Sequence, residues 1–244
     1  MRLAEIRRAA AREDGVTLME LMVGTMISMI VFVGLYTFID VASSNSQRVT
    51  ARIEANKLAR PVMADIMDKL HSVCVAPNIA PIMAGSTGSS ISFAHQTGSA
   101  VAPTPVKRTI TYSSAGKGTL TESVFRVVSG TSPNWTYSTT PETTPRVMLT
   151  PVVAGKVGDP LTTVPVFRYY AYGTNGVIST TPLAVPLSAT DAAKTVQVTV
   201  SFGVPPRGTV EDDTREGTIY LTDTALFRLS APGETATAQR LPCG

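Results

Sequence analysis

The chain has 244 residues, enough for one or two domains with a sizeable core, and only 16% of them are charged. A formal charge of +3 gives no general electrostatic case for nucleic acid, so DNA is left as a partner for isolated patches only. His71 and His95 stand in no spaced cluster with cysteines or carboxylates, no G-x-S-x-G elbow occurs, and Gly116-Lys117-Gly118-Thr119 lacks phosphate-loop spacing and reads as a turn; nothing points to an enzyme or a cofactor.

The first 15 residues carry Arg2, Arg7, Arg8 and Arg12 against Glu5, Glu13 and Asp14, and the rest of the chain keeps a charge of about +2. Positive charge ahead of a first span holds that end in the cytoplasm and sends the remainder of the chain outward. Val16 to Ile39 is apolar throughout except for Glu20. As a helix those roughly 24 residues are about 36 Å long, enough to cross a bilayer core. Gly24 and Gly34 let helices approach closely, or reflect how common glycine is in membrane helices. A carboxylate in such a segment costs about 2.5 to 3.5 kcal/mol on insertion scales, so Glu20 calls for a specific partner.

Gly15-Val16-Thr17-Leu18-Met19-Glu20, preceded by a short charged head, resembles the N-terminal signature of the type IV pilin superfamily. The resemblance implies cleavage between Gly15 and Val16 by a membrane-embedded prepilin peptidase, N-methylation of Val16, and a meeting of Glu20 with the terminal ammonium of a neighbouring subunit. Val16 stands where phenylalanine is usual in the family. The implied partners are the lipid bilayer, the prepilin peptidase, other pilin or pseudopilin subunits and an inner-membrane assembly platform. The implied route runs from a single-pass inner-membrane precursor to an extracytoplasmic pilus or pseudopilus. Three plainer readings stand beside it: an uncleaved signal anchor carrying an extracytoplasmic binding or enzymatic domain, a secretory signal peptide cut near Val41-Ala42-Ser43, and a buried core helix.

All 17 prolines lie at or after Pro61, which leaves the first sixty residues free to be helical. Beyond the polar join Ser43 to Ser46, apolar residues recur three and four apart at Ala55, Leu58, Ala59, Val62, Met63, Ile66, Met67, Leu70 and Val73. This spacing predicts an amphipathic continuation of the same helix to about residue 74, kinked at Pro61, with Asp65 and Lys69 in the favourable acid-before-base order. Pro77 and Pro81 end it. Short runs rich in Val, Ile, Thr, Tyr and Phe then predict antiparallel strands at 91–94, 108–112, 120–128, 135–138, 147–153, 164–172, 195–204 and 218–229. Residues 188–194 predict a short helical turn, and Val196 to Phe202 alternates as if one face were core and the other wet. Trp135, the sole tryptophan, is read as a core filler.

Pro165 to Tyr170, the Asp-Ala helical stretch and Ala225 to Leu229 are similar to segments of the W-type minor pilins and the J-type minor pseudopilins of type II secretion. The implied fold is α+β: a leader over 1–15, a transmembrane helix over 16–39, its amphipathic continuation over 40–74, and an exported, β-rich domain over 75–244 formed of antiparallel sheet. Export into an oxidising compartment makes Cys74 and Cys243 a disulfide candidate, against two free thiols. Glu211, Asp212, Asp213 and Glu216 offer hard oxygen ligands of the kind calcium takes and are a weak calcium candidate; the favoured reading is a solvated hairpin loop with no metal.

Overall fold

The computed structural model describes residues 17–74, 79–99, 102–131, 134–206 and 218–227. Gly15, Val16, Cys243 and the four acidic residues Glu211, Asp212, Asp213 and Glu216 lie outside them. One helix, α1 (Leu18–His71), opens the described chain, and the molecule divides into a unit up to Thr50 and a unit from Ala51 onward.

In the first unit α1 is apolar on every side from Leu18 to Ile39 but for Glu20 in its first turn, and its side chains are open: Phe32, Tyr36 and Phe38 are 71%, 73% and 72% exposed. A water-soluble surface rarely carries so large an apolar patch, so this stretch is a candidate membrane anchor. Its threonines fit that role. Thr25 and Thr37 donate their hydroxyls back to the carbonyls of Met22 and Gly34, each at 2.9 Å, so neither polar group needs water.

From Ala51 the helix becomes one-sided. Ala55, Ala59, Met63, Ile66, Met67 and Leu70 are buried, Leu58 and Val62 pack beside them, and Val73 extends the stripe past the helix end. Pro61 lies within α1 on the exposed side, and Lys57, whose carbonyl loses its usual donor there, is exposed as well. Water can satisfy that carbonyl, which is why the helix continues through the proline. Ile66 is fully buried, so Ile66→Ala should cost about 2–5 kcal/mol. Denaturation of the full chain, followed through Trp135, checks this; Lys57→Ala on the wet face should stay within about 0.5 kcal/mol of the parent.

The stripe packs into a core shared with two antiparallel sheets. The first contains β1 (Ser90–Ser99), β2 (Ala102–Ser113), β3 (Thr119–Ser129) and β4 (Thr136–Tyr137) in that order, with β5 (Arg146–Leu149) also paired to β3. The second contains β6 (Val153–Val157), β7 (Thr162–Val164), β8 (Phe167–Tyr170), β9 (Gln197–Val204) and β10 (Ile219–Leu226), in the order β10-β9-β6-β7, with β8 also paired to β9. The short helix α2 (Ala189–Lys194) starts at Ser188, whose hydroxyl accepts the amide of Asp191 at 3.1 Å, and leads into β9. The architecture is α+β. Tyr169 ties the second sheet to the head of the first: its buried hydroxyl reaches the carbonyls of Thr87 at 2.8 Å and Ser90 at 3.2 Å, and burial pushes its pKa upward.

Three strand expectations are corrected. Residues 147–153 form no single strand, because the chain leaves the first sheet after Leu149, passes Pro151, and enters the second sheet as β6. Pro165 breaks 164–172 in the same way, between β7 and β8. A proline offers no amide to a ladder, so each marks a change of partner strand. The third correction concerns β9, which is buried on both faces rather than one. It is a central strand, and its polar face is paired internally: Thr199 with Thr224 at 3.2 Å, Ser201 with Thr222 at 3.1 Å, and the guanidinium of Arg168 on Ser201 at 3.2 Å. The turn expected at Gly116 to Thr119 is present, and Gly118 sits there at φ 71°, where a Cβ would stand 1.8 Å from the Val152 carbonyl oxygen.

Candidate functional site

Glu20 lies in the first turn of α1, and its carboxylate is engaged with Thr17. The amide and the hydroxyl of Thr17 both donate to Oε2 of Glu20 at 3.1 Å, and the amide of Glu20 donates to Oγ1 of Thr17 at 3.2 Å. The Thr17 carbonyl accepts the Leu21 amide at 3.1 Å and so starts the helical ladder. This is a reciprocal capping box, which satisfies two amides that the helix itself cannot and puts a negative charge at the positive end of its dipole. Reading Glu20 as an acid in need of a partner from outside the segment missed Thr17, although Thr17-Leu18-Met19-Glu20 displays the capping-box spacing. Among the described residues Oε1 accepts no hydrogen bond, so the carboxylate keeps one oxygen for another donor.

A second charged centre fastens the amphipathic half of α1 to the first sheet. Glu122 on β3 is 5% exposed, yet it is a carboxylate. Its Oε1 meets Lys69 Nζ at 2.9 Å and Arg108 Nη1 at 2.7 Å, and its Oε2 meets Arg146 Nη2 at 2.9 Å. Asp65, one turn before Lys69, joins Lys69 Nζ at 2.8 Å and Arg146 Nη2 at 2.6 Å. Burial alone would raise the pKa of Glu122, but hydrogen bonds from Lys69 and Arg108 outweigh it, and the carboxyl is held below its ordinary range. Asp65 is lowered by the same balance, through Lys69 and Arg146. His95 on β1 faces the cluster; burial first, then the positive charges of Arg108 and Lys69, hold its pKa down. The i to i+4 spacing foretold Asp65 with Lys69. Glu122, Arg108 and Arg146 come from three strands, and no local pattern joins them.

Cys74, just beyond α1, is fully buried and disulfide-bonded. No group of three or more histidine, cysteine or carboxylate side chains suited to a metal occurs among the described residues. Trp135, expected in the core, is half-buried instead and packs with Tyr137 against a separate small cluster of Cys74, Ile79 and Ala94. Compared with known protein families, curated proteins and solved structures, the chain finds no match.

Proposed function

We propose that the chain is a prepilin, inserted once in the inner membrane, cut after Gly15, and drawn into a type IV pilus or type II secretion pseudopilus as a minor subunit. One observation carries this reading: Gly15-Val16-Thr17-Leu18-Met19-Glu20 stands at the head of a bare apolar helix, with the Glu20 carboxylate in its first turn. Cleavage by a prepilin peptidase creates a cation at Val16, which stays charged if methylated. Paired between subunits, that ammonium and Glu20 cancel two charges that would each be costly in an apolar shaft. The other subunits, the assembly platform and the bilayer are the partners this requires, and the β-rich unit is the part presented outward. A subunit of this kind works by packing and display, without chemistry of its own.

The mass of the N-terminus in the purified protein tests the reading. A terminus at Val16 is expected, and a chain that keeps its basic head and never enters a fibre sinks it. Gly15→Leu should leave full-length precursor in the membrane, seen as slower migration on a denaturing gel.

The capping box favours a second reading. Because Thr17 already partners Glu20 within the helix, the acid also suits a single-pass anchor that stays uncleaved and holds an extracytoplasmic binding or enzymatic domain.

A further inference from the structure

The outer face of the second sheet is built from hydrogen-bond donors. In the register of β8, β9 and β10, Arg168, Thr199 and Thr224 stand in one row and Ser201 and Thr222 in the next, on the side of β9 away from the core residues Val198, Val200 and Phe202. Each hydroxyl pair, Thr199 with Thr224 and Ser201 with Thr222, uses one hydroxyl hydrogen between its members and keeps the other for an outside acceptor. Thr222 and Thr224 are exposed, so that offer faces solvent. Two glycines keep the floor of the strip low: a Cβ on Gly155 would stand 2.5 Å from Ser201 Cβ, and one on Gly203 would stand 2.6 Å from the Tyr220 ring.

Two cations border this strip, and among the described residues neither meets an acid. Arg168 donates from Nη2 to Ser201 Oγ at 3.2 Å, while its Nε is shut from water without a hydrogen-bond partner. Lys156 on β6 lies over the Tyr220 ring, 5.5 Å from its centre. Asp223, the one acidic residue in β8, β9 and β10, falls opposite Val200 on the other side of the sheet and accepts the Thr224 amide at 2.8 Å. The first sheet differs, since there Glu122 takes up the charges of Lys69 and Arg108. A partly buried guanidinium with an unfilled donor is costly without an anion, so this face calls for an acidic ligand.

Arg168 bears on Ser201, and Lys156 bears through Tyr220 on Gly203, two residues further along β9. Two residues of extended chain span about 7 Å, which is also the spacing of successive side chains on one side of a strand. We infer that this face docks an extended acidic segment of another protein chain, whose carboxylates on alternate residues meet Arg168 and Lys156 and accept the free hydroxyl hydrogens of the two threonine- and serine-bearing pairs. Charge complementarity selects the partner, because cations and hydroxyls line the strip and no described acid does. A planar carboxylate also fits the fork of a guanidinium. The strip belongs to the second sheet alone, so the inference goes beyond the filament reading and does not depend on it.

The probe is a fluorescein-labelled peptide of alternating glutamate and threonine, titrated with the full chain in detergent and followed by fluorescence anisotropy. Binding should weaken as salt is raised. The same peptide with glutamine for glutamate should bind at least about tenfold more weakly, and Arg168→Gln should weaken binding of the glutamate peptide by a similar factor. Lys156→Gln should lose affinity by a smaller factor. Thr224→Glu sets a negative charge at an exposed point of the strip and should abolish binding, which keeps the test decisive if Arg168→Gln folds poorly by far-ultraviolet circular dichroism. Lys107→Gln, which removes a cation lying over Phe125 on the first sheet, should bind like the parent. Parent-like affinity of Arg168→Gln and Thr224→Glu, or equal affinity for the glutamine and glutamate peptides, would overturn the inference. So would tighter binding of inorganic phosphate or of an oligothymidylate of equal charge, which would assign the face to phosphate groups instead.

Discussion

Glu20→Gln should abolish incorporation into filaments as completely as Glu20→Ala. The two substitutions separate the roles that the geometry allows the acid. Glutamine can still reach back to the Thr17 amide, since the capping box accepts Glu or Gln at this position, so a purely local role predicts near-normal behaviour for Glu20→Gln. Pairing with an ammonium needs the charge. Removing one partner of a buried ion pair costs about 3–5 kcal/mol, and each 1.4 kcal/mol is tenfold, so the variant's share of sheared filaments should drop by about a hundredfold or more. On the proposed reading membrane insertion and cleavage should survive, because the Gly15–Val16 junction is unaltered and loss of the acid lowers the cost of insertion. Immunoblots of filament and membrane fractions check this. Parent-like incorporation of Glu20→Gln beside a defective Glu20→Ala would leave capping as the sole role and return the chain to the anchor reading.

The second large effect belongs to Glu122. Glu122→Ala leaves Arg108, mostly buried, without the carboxylate it pairs with and leaves Lys69 with Asp65 alone, and Asp65 does not reach Arg108 through any observed contact. The expected loss is about 3–5 kcal/mol. For a unit of this size that is a fall of roughly 6–20 °C in the melting temperature, readable from Trp135 fluorescence. Arg146 is 58% exposed, so Arg146→Ala should cost far less, about 1 kcal/mol or under. The pH dependence comes from the lowered carboxyls. A group whose folded pKa is depressed contributes stability above its unfolded pKa, and that contribution disappears as pH falls through the folded value. The parent protein should therefore weaken as the medium is acidified below the ordinary carboxylate range, through Glu122 and Asp65 together. Glu122→Gln should start less stable and show a shallower loss over the same acid range; an unchanged slope would mean that protonation of Glu122 is not linked to unfolding.

These expectations draw on different levels of the molecule. The apolar stretch, its single acid and the three-and-four spacing from Ala55 to Val73 are local patterns, and a helix is a local structure, so α1 was legible almost to its ends. The capping box is equally present in the order Thr17 to Glu20, a local pattern of the same kind. Most strands were also legible as β-branched runs. Their boundaries failed at Pro151 and Pro165, where the question was which strand the chain pairs with next, and that depends on partners distant in sequence.

What the order of residues determined by itself is therefore the long helix, the change from an all-round apolar half to a one-sided half, the α+β class and the placing of a lone carboxylate in the first turn. Each arises from contacts within a few residues. Tertiary structure alone decided that Glu122 is buried among cations from α1, β2 and β5, that β9 is covered on both faces, and that Trp135 walls a cleft instead of filling the core. The reason is physical: burial and charge pairing depend on which surfaces meet in space, and strands tens of residues apart carry no periodic mark of the neighbour they will have.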